Sequence, residues 1–323
     1  MVQLVSMVNL LANGTVECKG TYTEQVYHLD KNLKCVIMVL FTMVMILTCL
    51  INSTIIYFLA KMKDLQNPSM RLILFLSISD LSLGLLGEPL LVAVLAGNFN
   101  CIFHEIVEFL TVSSAHMSAY ITGCIGYDRY FRLLYLNEYS NKIQIWKVNV
   151  AMTVAFLIAI FHGLAQNVGI IYEFYEEVTT AGIVIDFLMF MFMVVPYVLA
   201  IRSVRQHRAI ATNRELLKEV DQSVLTIASR IMITITILYI PYITFTIMRK
   251  YLPETSPIRN NQIYLFALSI SYVMGLSNSF LNGIIFLIVC SKCRFTLIKM
   301  LRRRRDSAQS WFSAKITMTT SIQ

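Results

Sequence analysis

The sequence predicts an all-α membrane protein folded as a bundle of seven transmembrane helices. Three observations support this fold. The chain of 323 residues is 57% hydrophobic and only 14% charged, a composition that would leave large apolar patches on a water-soluble domain. Seven apolar segments are long enough to cross a bilayer as helices. Lys and Arg are also distributed unevenly between the segments that connect them.

The seven spans, numbered one to seven in chain order, lie at residues 35–60, 72–95, 103–127, 148–170, 182–201, 231–248 and 262–290. Helices are expected because backbone polar groups find no water in the hydrocarbon core. The period-two alternation of a membrane β-barrel is absent from the sequence. The chain then divides into a tail of residues 1–34, the bundle of residues 35–290, an amphipathic juxtamembrane helix of residues 291–305 and a disordered tail of residues 306–323.

The basic residues predict the orientation of the bundle. Of the 27 Lys and Arg residues, 21 lie in the segments after spans one, three, five and seven. Basic loops stay in the cytoplasm, so we expect the N-terminus outside the plasma membrane and the C-terminus inside. The net charge of +8 follows from this asymmetry and does not indicate nucleic-acid binding. Asn13 starts an Asn-Gly-Thr glycosylation sequon in the outer tail.

The cysteines divide by predicted location. Cys101 lies at the outer edge of the bundle, where a disulfide to either Cys18 or Cys35 is compatible with the sequence. Cys290 and Cys293 follow span seven on the inner side, where S-acylation and a plain thiol are both reasonable interpretations.

Polar side chains from four spans fall at one depth of the bilayer. Counting about 1.5 Å per residue from the inner basic residues places Asn52, Asp80 and Ser118 roughly 14–16 Å inside. A buried carboxylate is costly, and oxygen donors suit a hard cation such as sodium. One interpretation is therefore a sodium site formed by Asp80, Ser118, Asn278, Ser279 and Asn282. The other is that these groups only hydrogen-bond the helices to one another.

Six spans contain short motifs that fall in a fixed order along the chain. The motifs are Asn52 in span one, Leu76 to Asp80 in span two, the triplet Asp128, Arg129 and Tyr130 in span three, Pro196 in span five, Pro241 in span six, and Asn278 to Phe286 in span seven. With these motifs the chain resembles a divergent member of the rhodopsin-like (class A) G-protein-coupled receptors. Gly283 and Phe286 replace the usual proline and tyrosine of span seven, and Tyr239 replaces a tryptophan in span six.

The resemblance implies a switch at the inner end. An ion pair between Arg129 and Asp221, with Asp128 as a second acceptor, would hold spans three and six together. Pro241 lacks a helical N–H and should bend span six, whose inner end would swing outward to admit a heterotrimeric G protein. The implied coupling residues are Asp128, Arg129, Tyr130, Asp221, Tyr239, Pro241, Asn282 and Phe286. Phosphorylation of the hydroxyl-rich tail would recruit arrestin.

The resemblance also implies a ligand pocket that opens outward between spans three, five, six and seven. By position its lining is Glu108, Thr111, Ala115, Phe192, Tyr239, Tyr242 and Tyr272. Thr111 stands where amine receptors carry aspartate, and no lysine lies between Gln262 and Ser291, which argues against an opsin. The second and third outer segments lack basic residues around Glu105 and Glu173, which favours a cationic ligand.

Two other function classes remain open on sequence grounds. The first is a seven-helix receptor that binds ligand without activating a G protein, because of the replacements at Gly283, Phe286 and Tyr239. The second is a small membrane transporter, although internal repeats are not evident. An enzyme is not expected, since the sequence shows no nucleophile–base pair or metal cluster. The histidines of spans three and four, His104, His116 and His162, are scattered along the chain.

Overall fold

A computed structural model describes residues 29–62, 65–97, 101–135, 138–171, 175–210, 214–252, 256–258 and 261–289. Several sequence predictions lie outside these residues: the sequon at Asn13, the thiols of Cys18, Cys290 and Cys293, the juxtamembrane helix and the C-terminal tail. The side chains of Asp221 and Cys101 also lie outside the described part of the structure.

Each predicted span is helical, and most helices extend beyond the apolar segment. The helices of spans one, three and four are Lys31–Met62, Cys101–Tyr135 and Ile145–Ile171, and those of spans five, six and seven are Tyr175–Ile210, Arg214–Tyr251 and Gln262–Val289. Span two runs from Pro68 to Ala96 with a π-helical turn at Leu83–Gly87. A short helix, Tyr139–Lys142, follows span three at the predicted cytoplasmic end.

Span two shows how local sequence sets the helix ends and the internal turn. Asn67 caps its start, since its side-chain oxygen accepts from Ser69 N at 3.1 Å and Pro68 occupies the first turn. The π-turn ends next to Pro89, and Glu88 N–H bonds the carbonyl of Leu83 five residues earlier. Proline would clash with a carbonyl four residues earlier in a regular helix, so the wider turn accommodates it.

Within the described residues, five helices are long and apolar enough to cross a membrane; they belong to spans one, two, four, five and seven. Span six holds a shorter apolar stretch, Ile233–Met248. Span three is more polar, and it packs at the centre against spans two, four and five, with smaller contacts to six and seven. Large apolar side chains face outward on the peripheral spans, for example Leu50 and Phe161 at 61% and 74% exposure. The polar span is thus shielded by its neighbours.

Gly283 and Gly163 are sites of close helix approach. A Cβ on Gly283 would lie 2.5 Å from Ile51 Cγ2 and 3.0 Å from Ile55 Cδ1 of span one. A Cβ on Gly163 would lie 2.1 Å from Ser113 Oγ of span three. Glycine therefore allows spans seven and one, and spans four and three, to pack closely at these two points.

Candidate functional site

Asp128 is the centre of a polar cluster at the predicted cytoplasmic end. Its carboxylate is 4% exposed and accepts hydrogen bonds from the Ser69 and Tyr139 hydroxyls. Arg132 Nε, one helical turn further on, lies 3.6 Å from Asp128 Oδ2. The cluster joins spans two and three to the short helix Tyr139–Lys142. The sequence led us to expect Asp128 beside Arg129, whereas the ion pair that the structure describes is with Arg132.

Arg132 and Tyr139 complete the cluster. Arg132 donates from Nε to Ser69 Oγ at 3.1 Å and from Nη2 to Asn67 Oδ1 at 2.9 Å. Its guanidinium also stacks over the Tyr139 ring, 4.4 Å from the centroid. Burial, and then the Asp128 carboxylate, raises the pKa of Tyr139 to about 12. The Tyr139 hydroxyl therefore stays protonated and acts as a donor over the physiological pH range.

Arg129 is half-buried and faces inward. It lines a cavity of about 50 Å³, here called the Arg129 cavity, to which six of the seven spans contribute. Tyr197, Ile231 and Phe286 share this lining. Tyr197 is fully buried and donates to the backbone carbonyl of Thr122 at 3.0 Å. Tyr130 lies elsewhere, against a small cluster of Leu133, Ala200 and Val204.

The predicted polar layer contributes part of the lining of this cavity, through Asn52 and Asn282. Asn52 Nδ2 donates to the carbonyls of Thr48 and Ser279 at 2.9 and 3.3 Å, which joins spans one and seven. Asn282 Nδ2 donates to Thr122 Oγ1 at 3.3 Å, which joins spans seven and three. The residues that sequence depth placed together are buried and lie together in the structure.

Asp80 differs from the rest of the layer. Its side chain is fully buried, with the Ser118 and Ser279 hydroxyls beside it. By strict hydrogen-bond geometry, neither carboxylate oxygen makes a full hydrogen bond among the described residues, and neither do Ser118 Oγ and Asn278 Oδ1, although the Ser118 and Ser279 hydroxyls lie close to the carboxylate. Four buried oxygen atoms from spans two, three and seven are thus left with unmet hydrogen-bonding capacity, which is costly in an apolar interior.

A second cavity of about 50 Å³, here called the outer cavity, lies between spans three, five, six and seven. Four predicted ligand contacts line it: Ala115, Tyr239, Tyr242 and Tyr272. Two others lie elsewhere. Thr111 is buried beside Gly87 of span two, and Phe192 packs against Gly123 and the ring of Tyr127. Glu108 is not part of the lining either.

Among the residues of the outer cavity that sequence reasoning missed, two are polar. His116 and Asp186 line it, with His116 Nε2 2.8 Å from Asp186 Oδ1. The His162 ring is tilted by 43° against the His116 ring, with ring centroids 4.0 Å apart. Two of the three histidines that look scattered in the sequence therefore meet in space. The available signal was weak: a histidine and an aspartate in two apolar spans, where polar side chains usually face a partner.

Comparison with protein-family models matches residues 51–286 to the 7 transmembrane receptor (rhodopsin family). The chain belongs to this family. The match starts within span one and ends at Phe286, so it covers most of the bundle and includes both cavities. Among curated proteins, none is significantly similar to this chain.

Span six of this rhodopsin-family receptor contributes to both the outer cavity and the Arg129 cavity. Tyr239 lines the outer one and Ile231 the inner one. Tyr239, at the position of the usual tryptophan, is 7% exposed and packs with Met193, Tyr197 and Ile235. The Tyr239 hydroxyl lies beside the Asn278 amide. This residue therefore contacts the outer cavity, the core and the polar layer.

Proposed function

We propose that this receptor lies in the plasma membrane with its N-terminus outside, binds an extracellular ligand in the outer cavity and activates a heterotrimeric G protein. The main support for the proposal is that span six lines both the outer cavity and the Arg129 cavity. Tyr239 and Ile231 are eight residues apart, about 12 Å along the helix. A ligand that displaces Tyr239 would therefore act on the helix that also closes the Arg129 cavity.

Activation of the receptor would be a shift between two packings of the seven-helix bundle. In the described packing, the Arg129 cavity is small and Asp128 is held by Ser69, Tyr139 and Arg132. Outward movement of the inner end of span six would enlarge the cavity and expose Arg129 to a G-protein segment. Pro241 lies within the helix of span six, where its missing N–H lowers the cost of bending. The phosphorylated tail would then recruit arrestin.

Asp221→Ala is expected to raise ligand-independent GTPγS incorporation several-fold. Asp221 lies 20 residues before Pro241 on span six, about 30 Å along the helix, where the sequence predicts an ion pair with Arg129. Removal of an acceptor for Arg129 favours the open packing. The assay uses purified receptor in nanodiscs with each G-protein class, and Glu219→Ala is the control on the same helix. If GTPγS incorporation is unchanged with every G-protein class and the variant folds normally, the Arg129–Asp221 ion pair does not hold the receptor inactive.

Arg129→Ala in the same assay tests the function itself. We expect ligand-independent exchange to fall to the level of empty nanodiscs, both alone and in combination with Asp221→Ala. Exchange that persists without Arg129 would show that the Arg129 cavity is not the G-protein contact. A receptor that binds ligand in the outer cavity but never accelerates exchange would instead support the non-signalling alternative.

We further propose that the four unsatisfied oxygens around Asp80 hold a sodium ion. Two carboxylate oxygens, a hydroxyl and an amide oxygen form a hard donor set of the kind that binds such cations. The Ser279 hydroxyl lies beside Asp80, and Asn282 belongs to the ligand set proposed from the sequence. The bound cation would neutralise the negative charge of the Asp80 carboxylate. It would also tie spans two, three and seven together in the inactive packing.

Replacing choline chloride with sodium chloride is expected to raise the melting temperature of the purified receptor by several degrees. Asp80→Asn should remove this dependence, because the neutral amide no longer attracts a cation. Ser277→Ala is the matched control, since Ser277 donates to its own helix at the carbonyl of Val273. A wild-type receptor that melts at one temperature in both salts would exclude the ion.

A further inference from the structure

Three metal-binding side chains from three different spans meet at one buried point. His116 comes from span three, His162 from span four and Asp186 from span five. One ligand atom from each lies within 4.8 Å of the other two. All three residues are buried, with exposures of 7%, 3% and 7%. Residues that lie 46 and 70 positions from His116 are thus brought to one site by helix packing alone.

Gly163 helps to form this site. Its missing side chain lets span four approach Ser113 and Phe109 of span three, and His162 is the adjacent residue. A larger residue at position 163 would push the two helices apart. The distance between the His116 and His162 ring centroids, 4.0 Å, depends on this close approach.

The hydrogen bonds of His116 define its chemical state. Its Nδ1 lies 2.8 Å from the carbonyl oxygen of Val112, which can only accept, so Nδ1 carries a hydrogen. Its Nε2 lies 2.8 Å from Asp186 Oδ1. If the carboxylate is ionised, Nε2 must also carry a proton, and the pair is an imidazolium–carboxylate pair. A metal cation in place of that proton would satisfy both Nε2 and Asp186.

We propose that His116, His162 and Asp186 form a binding site for a divalent transition-metal ion, with Zn²⁺ the best match. Two imidazole nitrogens and one carboxylate oxygen are ordinary zinc ligands at about 2.0–2.2 Å. Tetrahedral geometry at that distance separates ligand atoms by about 3.3 Å. In the structure, His116 Nε2 and Asp186 Oδ1 are 2.8 Å apart, and the ligand atoms of all three residues lie within 4.8 Å of one another. Small side-chain rotations would bring these distances to about 3.3 Å.

The surroundings suit a metal with an open position. The Val112 carbonyl holds the His116 ring in position by accepting a hydrogen bond from Nδ1, the nitrogen that does not face Asp186. Zinc-bound histidines usually have such a partner on their second ring nitrogen. His116 and Asp186 also line the outer cavity of about 50 Å³, which has room for a water molecule. A water or a ligand group can therefore occupy the fourth position. The metal would join spans three, four and five next to the ligand site.

Cobalt binding to the purified full-length receptor, prepared with a tag that contains no histidine, tests the proposal. Co²⁺ takes zinc geometry and absorbs strongly in the visible when it has four ligands including imidazole. We expect one Co²⁺ per receptor with this absorption, and loss of the absorption when Zn²⁺ is added. A melting-temperature rise of several degrees in micromolar Zn²⁺ is expected alongside.

Three variants each remove one ligand: His116→Gln, His162→Gln and Asp186→Asn. Each should lose the cobalt absorption and the zinc-dependent rise in melting temperature. His104→Gln, another buried histidine of span three, should keep both. His162→Gln leaves the His116–Asp186 hydrogen bond in place, so it separates metal binding from folding. The proposal is overturned if the wild type shows no absorption, or if the absorption survives in the well-folded His162→Gln variant.

Discussion

Gly283→Ala is expected to lower the free energy of unfolding by about 1–3 kcal/mol, the usual cost of overpacking a close helix contact. The new Cβ would lie 2.5 Å from Ile51 Cγ2. This methyl group is attached directly to Cβ of a β-branched residue, whose χ1 is restricted in a helix. The clash is therefore relieved only by moving span one away from span seven. The measurement is the melting temperature of the purified receptor in one detergent.

Gly275→Ala is the matched control on the same helix. A Cβ there would find only Tyr242 Cγ, at 4.0 Å. Without a clash, the higher helix propensity of alanine should leave stability unchanged or raise it by up to about 1 kcal/mol. The two substitutions are thus expected to act in opposite directions. Equal effects would show that spans one and seven do not approach each other at Gly283.

Gly283→Pro would restore the residue that the family normally carries at this position. We nevertheless expect it to destabilise the receptor more than alanine does, by at least about 3 kcal/mol. Proline places its own Cβ against Ile51 and also removes a helical hydrogen bond. The replacement of proline by glycine in this chain is therefore part of how spans one and seven pack. A stable Gly283→Pro variant would contradict that explanation.

The sequence was sufficient for the features that depend on one helix at a time. Span length, the order of the spans and the depth of a residue are all local properties. Asn52, Asp80 and Asn282 could thus be placed in one layer before the structure was known. The polar character of span three was not part of the prediction, although His104, Glu105 and Glu108 show it in the sequence. Its central position is the physical consequence, since a lipid-facing location would be too costly.

Features that depend on how helices rotate against one another could not be predicted. His116 and Asp186 are 70 residues apart, and nothing in either span shows that their faces meet. Thr111 and Phe192 illustrate the same limit. Each was placed in the ligand pocket by its position along the span, but Thr111 turns toward span two and Phe192 toward Gly123. Depth follows from helix rise, whereas direction depends on packing with neighbouring spans.

The partners of Asp128 belong to this second group. Ser69 and Tyr139 are 59 and 11 residues away, and Tyr139 lies on a short helix that the sequence analysis did not separate from the loop. The expected contact between Asp128 and Arg129 came from the switch that the family resemblance implies. In the structure the Arg129 side chain faces its cavity, and Arg132, one turn away, takes its place beside the carboxylate. Adjacent residues on a helix point in different directions.

Asp128→Ala is expected to lower the free energy of unfolding by about 2–3 kcal/mol. The substitution leaves the Ser69 and Tyr139 hydroxyls buried without their acceptor, at about 1–3 kcal/mol for each such group. Arg132 adds little, because its side chain is 35% exposed and remains partly hydrated. Hydrogen exchange of residues 138–143 should also accelerate, since Asp128 joins the short helix to span three. Glu138→Ala, an exposed charge on the same segment, is the control and should change neither property.

A double-mutant cycle distinguishes the hydrogen bond from general disruption. Tyr139→Phe removes only the hydroxyl and keeps the ring under the Arg132 guanidinium, so it should cost about 1–2 kcal/mol. If Tyr139 donates to Asp128, Asp128→Ala combined with Tyr139→Phe should be no less stable than Asp128→Ala alone, because the second change also removes an unsatisfied donor. Stability losses that simply add would show that the two side chains act independently. In that case Asp128 would not hold the short helix against span three.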